Sequence, residues 1–114
     1  MSKRIQRLNE LIKEELGKIL FKEGNFPKGI FVTITRVETL ANLSEAKVWI
    51  SVLPETKAKK IVEVLNKRIY FFQQKINKIL RMKFVPKIIF RVETQIKEAA
   101  RIEEILENLK KEEK

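Results

Sequence analysis

Eleven cations lie between residues 57 and 91: Lys57, Lys59, Lys60, Lys67, Arg68, Lys75, Lys78, Arg81, Lys83, Lys87 and Arg91. They face a single acid, Glu63, and the stretch nets +10, which equals the net charge of the whole 114-residue chain. The chemistry open to such a set is neutralisation of phosphate or carboxylate oxygens. The flanking segments nearly cancel. A generally basic protein spreads its excess, whereas concentration on one segment marks a surface that meets a polyanion. Two aromatics, Tyr70 and Phe71, sit inside the stretch and offer planes on which an unpaired base can stack.

The chemistry of catalysis is missing. Cysteine and histidine are absent, so there is no disulfide, no thiolate metal site and no imidazole base, and zinc would need carboxylates alone. Gly17, Gly24 and Gly29 form neither of the common phosphate-binding loops. The pairs Glu14-Glu15, Glu103-Glu104 and Glu112-Glu113 fall on exposed helix positions or in the tail. No serine has a base near it. The expectation is a binding protein, not an enzyme, with no metal and no cofactor. No apolar run approaches the ~18 residues of a membrane span, and residues 1–4 do not lead into a signal-peptide core. A cytosolic protein is expected.

Periodicity supplies the elements that position the cations. Residues 3–23 read as an amphipathic helix burying Ile5, Leu8, Ile12, Leu16 and Ile19, with Ser2 as start cap and Gly24 as stop. Residues 25–29 form a turn. A strand follows from Ile30 to Val37, with Ile30, Val32 and Ile34 on one face, and Asn42 and Ser44 break the pattern. Lys47 to Leu53 resumes it, with Ala46, Val48, Ile50 and Val52 facing one way, so the pair reads as an antiparallel hairpin ended by Pro54. Residues 57–82 then have helical period. Ala58, Ile61, Val62, Leu65, Ile69, Phe72, Ile76, Ile79 and Leu80 share an apolar arc, and the length predicts a break near the middle. A third strand runs from Lys87 to Glu93, reached by a right-handed crossover. A last helix covers roughly 96–110, burying Ala99, Ile102, Leu106 and Leu109, with a frayed tail over 110–114. The order α-β-β-α(α)-β-α gives one α+β domain spanning residues 1–114, its core over 3–109: a small three-stranded mixed sheet with helices packed on it.

On the 57–82 wheel, Lys60, Lys67, Phe71, Gln74, Lys78 and Arg81 lie within about 80° of one another, opposite the apolar arc. Lysine-rich helix faces are ordinarily just solvated, but here the interleaved acids are missing and like charges on such a face cost stability. Phe71 is either a stacking plane or tucked under a neighbouring segment. Trp49 lies on the strand face away from Val48 and Ile50, as an exposed platform or a covered sheet residue. At the bend, Ile69 should anchor in the core while Arg68 and Tyr70 point outward. The candidate RNA-binding set is Lys60, Lys67, Arg68, Tyr70, Phe71, Lys75, Lys78, Arg81, Lys83 and Lys87. Two other readings of the charge stand beside it: a generic RNA-binding module, and a basic adaptor for an acidic protein or membrane surface.

The element order resembles the bacterial ribosome-binding factor A family. So do Asn25-Phe-Pro-Lys-Gly29, Thr33-Ile-Thr-Arg-Val37, Leu43-Ser-Glu-Ala-Lys-Val-Trp-Ile50, Arg81-Met-Lys-Phe-Val-Pro-Lys-Ile-Ile-Phe90 and Glu98-Ala-Ala-Arg-Ile102. The resemblance implies a type II KH-like domain in which a kinked long helix, commonly with Ala-x-Gly, replaces the Gly-x-x-Gly loop. It further implies a non-catalytic factor, expected as a monomer, that binds 16S rRNA in free 30S subunits, assists rRNA maturation and helps cells cope with cold. No membrane partner is implied. In this chain the kink falls on Arg68-Ile69-Tyr70, Gln73 stands where the family commonly has Arg, and Ala99 where it has Gly.

Overall fold

The computed structural model describes residues 3–93. The predicted Ser2 cap and the helix over 96–110 lie outside these residues. The first helix, α1, covers Lys3–Glu23 and buries Leu8, Ile12, Leu16, Ile19 and Leu20, the i, i+4 stripe that its sequence dictates. Gly24 donates its N–H to the Leu20 carbonyl at 2.9 Å. The left-handed residue after α1 is Asn25, at φ 53°, not Gly24. Gly24 is required for another reason, since a Cβ there would collide with the Phe26 ring.

Two antiparallel strands follow, β1 (Phe31–Thr39) and β2 (Glu45–Leu53), with Val32 opposite Val52 and Ile34 opposite Ile50. The predicted alternation holds along β2, whose Ala46, Val48, Ile50 and Val52 are all buried. In β1 it fails after Ile34. A bulge between Ile34 and Arg36 shifts the register, so Ile34 and Val37 both reach the core. The displaced Thr35 and Arg36 meet Glu93. Thr35 Oγ1 donates to its carboxylate at 2.6 Å, and Arg36 Nε and Nη2 donate at 2.9 and 3.4 Å. Asn9 Oδ1 accepts the Thr39 N–H at 2.9 Å and ties α1 to the end of β1.

After Pro54 and a short 3-10 turn come α2 (Ala58–Lys67), α3 (Ile69–Leu80) and β3 (Lys87–Val92). Strand β3 pairs parallel with β2, which is central in the order β1-β2-β3. The parallel pairing needs a crossover, and α2 and α3 supply it. The predicted break therefore exists and occupies one residue. Arg68 sits at φ −96°, ψ 15°, a bridge-region conformation open to any L-residue. Its N–H is shared between the Val64 and Leu65 carbonyls at 3.2 and 3.1 Å. Negative φ explains how the chain bends here without glycine.

The core lies between the helices and one face of the sheet. Leu65, Phe72 and Ile76 pack beneath α2 and α3, and the Phe72 ring meets Phe90 edge-on at 5.7 Å. The expected apolar arc overshoots at its far end, where Ile79 is 42% exposed. That arc assumes one continuous helix, and the bend at Arg68 changes the phase of the second half.

Candidate nucleic-acid interface

The cations stand on the 3-10 turn before α2, on α2 and α3, on the loop after α3 and on β3. Lys57, Lys59, Lys60, Lys67, Lys75, Lys78, Arg81, Lys83, Lys87 and Arg91 are all exposed. Among the described residues, none of them has a carboxylate within ion-pair distance. Lys75 and Lys83 instead hold their ammonium groups over aromatic rings, Phe71 at 5.5 Å and Phe84 at 5.6 Å. The fold gathers unneutralised positive charge on one crossover, which raises the local potential for any polyanion. Arg81 closes α3 in the left-handed conformation, φ 51°, and so starts the loop with a charged side chain where glycine is the usual stop.

Beside this crossover, α2, α3 and β3 enclose a groove of about 510 Å³, with Tyr70 and Lys87 among its lining residues. Tyr70 is 75% exposed. Two amides form the groove's inner wall. Asn66 Nδ2 donates to the Phe90 carbonyl at 3.0 Å, and its Oδ1 accepts the Phe90 N–H at 3.0 Å. Gln73 Nε2 donates to the Pro86 carbonyl at 3.1 Å, and its Oε1 accepts the Ile88 N–H at 2.8 Å. These side chains take the place of a neighbouring strand along the outer edge of β3.

Several expected site residues sit elsewhere than the sequence implied. Arg68 does not point outward. Its guanidinium is half-buried and donates to the Glu23 carbonyl at 2.8 Å and the Gly24 carbonyl at 2.9 Å. The last carbonyls of α1 have no partner within their own helix, and a planar fork of donors satisfies two at once while opposing the negative end of the dipole. Phe71 is not a free stacking plane. It is half-buried, edge-on to Phe72 at 5.3 Å, with Arg68 5.1 Å from its ring centre. Trp49 is a covered sheet residue, with the Arg36 guanidinium 4.2 Å over its ring. Lys60 is exposed on α2 and lines a second groove there, with Lys57 and Val64.

Lys67, Tyr70, Lys75, Lys78, Arg81, Lys83 and Lys87 are all exposed, on α2's last turn, α3, the loop after it and the first residue of β3; of these, Tyr70 and Lys87 line one groove. The structure adds one residue absent from the sequence-based set, Phe84, which is 75% exposed beneath Lys83. Its position between Lys83 and Lys87 was the available signal, but in the pattern Phe84-Val85-Pro86 it reads as a helix stop. Among the described residues no three His, Cys, Asp or Glu side chains gather as a metal site. No described helix is long and apolar enough to cross a membrane.

The sequence model of the family described as Ribosome-binding factor A matches residues 4–106. The chain belongs to the ribosome-binding factor A family. A ribosome-binding factor A of Desulfitobacterium hafniense is 35% identical over 111 residues, covering 96% of this chain and 89% of its relative. One from Thermodesulfovibrio yellowstonii is 37% identical over 109 residues, with 96% and 92% covered. Solved structures of the family share the fold. A crystal structure of the Thermus thermophilus ribosome-binding factor A superposes with a TM-score of 0.68 at 15% identity, covering 77% of this chain and 94% of its own. A homology model of the Thermus thermophilus factor, as fitted into the cryo-EM map of a 30S complex, gives 0.63 at 15% identity over 75% and 90%. The α1-β1-β2-α2-α3-β3 order with parallel β2 and β3 is the type II KH-like arrangement, here with Arg68 at the kink.

Proposed function

We propose that this chain is a ribosome assembly factor that binds the small (30S) subunit and assists 16S rRNA maturation by binding alone, in the cytoplasm and as a monomer. The observation that carries the reading is the set of exposed cations on α2, α3 and the segment into β3 that have no ion-pair partner among the described residues, in a chain of the ribosome-binding factor A family. Its support includes the Thermus thermophilus member, which has been fitted into a complex with 30S. In this reading Lys67, Lys75, Lys78, Arg81, Lys83 and Lys87 meet phosphates, Tyr70 stacks on an unpaired base, and Lys60 extends the contact across α2. Arg68 and Phe71 stand behind the surface and hold its shape.

Four to six phosphate contacts give a log–log salt slope of roughly −3 to −5, and affinity falls about 10²–10³-fold between 50 and 200 mM salt. Sucrose-gradient sedimentation with purified 30S subunits tests the assignment. Lys78→Glu with Lys83→Glu should fold normally, because both side chains are exposed, and should leave the 30S fraction. A folded double variant that still co-sediments refutes the proposed surface. Displacement of 30S by polyglutamate as readily as by 16S rRNA would favour a basic adaptor instead.

A further inference from the structure

The flank of α2 opposite the Tyr70 groove holds a second groove of about 460 Å³, between residues 24–30 and the first turns of α2. Its floor is apolar: Phe26, Ile30, Ile61 and Val64. Val64 is 40% exposed although it is aliphatic and mid-helix. Its rim is cationic: Lys28, Lys57 and Lys60 all line it, and no acidic residue does among the described residues. Among the described residues none of the three lysines is in an ion pair. Both walls are fixed. Phe26 lies against Gly24 so closely that no Cβ fits, and the Arg68 fork grips the carbonyls of Glu23 and Gly24 where this wall begins. The other wall is α2 itself, held to the core by Ile61 and Leu65.

We propose that this groove is a second RNA subsite that takes one unstacked nucleobase of a single strand. The base lies on Phe26, Ile30, Ile61 and Val64, and the flanking phosphates lie on Lys28, Lys57 and Lys60. The inference rests on the reading of the chain as an rRNA-binding factor. An apolar floor with an aromatic wall satisfies the face of a base, and three unpaired cations around it satisfy the backbone on either side. Lys28 comes from outside the basic stretch, yet folding places it with Lys57 and Lys60.

The test uses the full chain with 13C-labelled methyl groups, a single-stranded octauridylate and a charge-matched abasic octamer. Octauridylate should shift the methyl resonances of Ile30, Ile61 and Val64, and bind roughly 5- to 150-fold more tightly than the abasic octamer, the range expected when one base stacks. Val64→Ser, at an exposed position that folding tolerates, should narrow that ratio. The triple variant Lys28→Gln, Lys57→Gln, Lys60→Gln should flatten the log–log salt slope by about 2, at about 0.7 per single-strand phosphate contact. Silent methyl groups overturn the proposal. So does equal binding of the two octamers, equal shifts with a Glu-rich peptide, or an unchanged slope in the triple variant. If these fail while the protein still sediments with 30S, only the subsite falls. If the methyl groups respond but the protein does not sediment, the proposed function falls and the subsite stands.

Discussion

Replacing Asn66 with alanine tests the most consequential contact beside the Tyr70 groove. The amide makes two hydrogen bonds, both 3.0 Å, to the N–H and C=O of Phe90. Phe90 is 1% exposed, and among the described residues its outward backbone groups have no strand to pair with. Alanine leaves one donor and one acceptor unsatisfied, at about 1–3 kcal/mol each. Asn66 is half-buried and lines an open groove, so water reaches part of the vacated space and the lower end applies. The expected loss is about 2–3 kcal/mol in urea unfolding followed by circular dichroism, with the m-value unchanged. Asn66→Asp adds a signature that simple truncation lacks. Its carboxylate still accepts the Phe90 N–H but faces the Phe90 carbonyl with no proton to donate, which raises the folded-state pKa above the usual ~3.9. Stability is then best below that unfolded value, where the protonated acid can donate to the carbonyl, and is lost as pH rises through the folded pKa. A loss under about 0.5 kcal/mol for alanine, within ordinary surface variation, would refute the view that this amide completes the β3 edge.

Arg68→Met should cost about 2–3 kcal/mol by the same assay, since two charge-assisted bonds share one half-buried guanidinium, and Arg68→Lys should not restore it because an ammonium cannot fork. Tyr70→Ala should leave urea stability within about 0.5 kcal/mol and weaken single-stranded RNA binding, read by fluorescence anisotropy, by about 1–3 kcal/mol. Arg81→Gly should raise the thermal midpoint, worth about 0.5–1 kcal/mol, by relieving the left-handed backbone, while the salt slope of RNA binding becomes shallower by about 0.7.

What could be read in the sequence was whatever each element buries by itself. The stripe Leu8-Ile12-Leu16-Ile19 and the alternation Ala46-Val48-Ile50-Val52 are local patterns with fixed periods, and they located α1 and β2. Excess length located the break in the crossover near Arg68. Relations between elements were not legible. The bulge at Thr35 sends Val37 inward, and no periodicity announces an inserted residue. Arg68 carries the same charge as its neighbours, and only the tertiary approach of α1, 44 residues earlier, turns its fork to carbonyls instead of solvent. Asn66 and Gln73 resemble ordinary surface amides until β3 lies beside them. Lys60 also lines a groove closed by residues 24–30, a segment distant in the chain that no local pattern announces.

The occupied edge of β3 limits how much information the protein can extract from RNA. A groove tells one base from another by offering free donors and acceptors to its edge. Along the Tyr70 groove the N–H groups of Ile88 and Phe90 and the carbonyls of Pro86 and Phe90 are already committed to Asn66 and Gln73. What remains for a ligand is chiefly the Tyr70 ring with its one hydroxyl, the Lys87 ammonium and an apolar floor, which register the path of a strand and its degree of unstacking far more than its letters. Such a surface tolerates drift in the sequence it holds. It discriminates by whether a strand is there, single and suitably bent, which makes it a detector of folding stage more than of address.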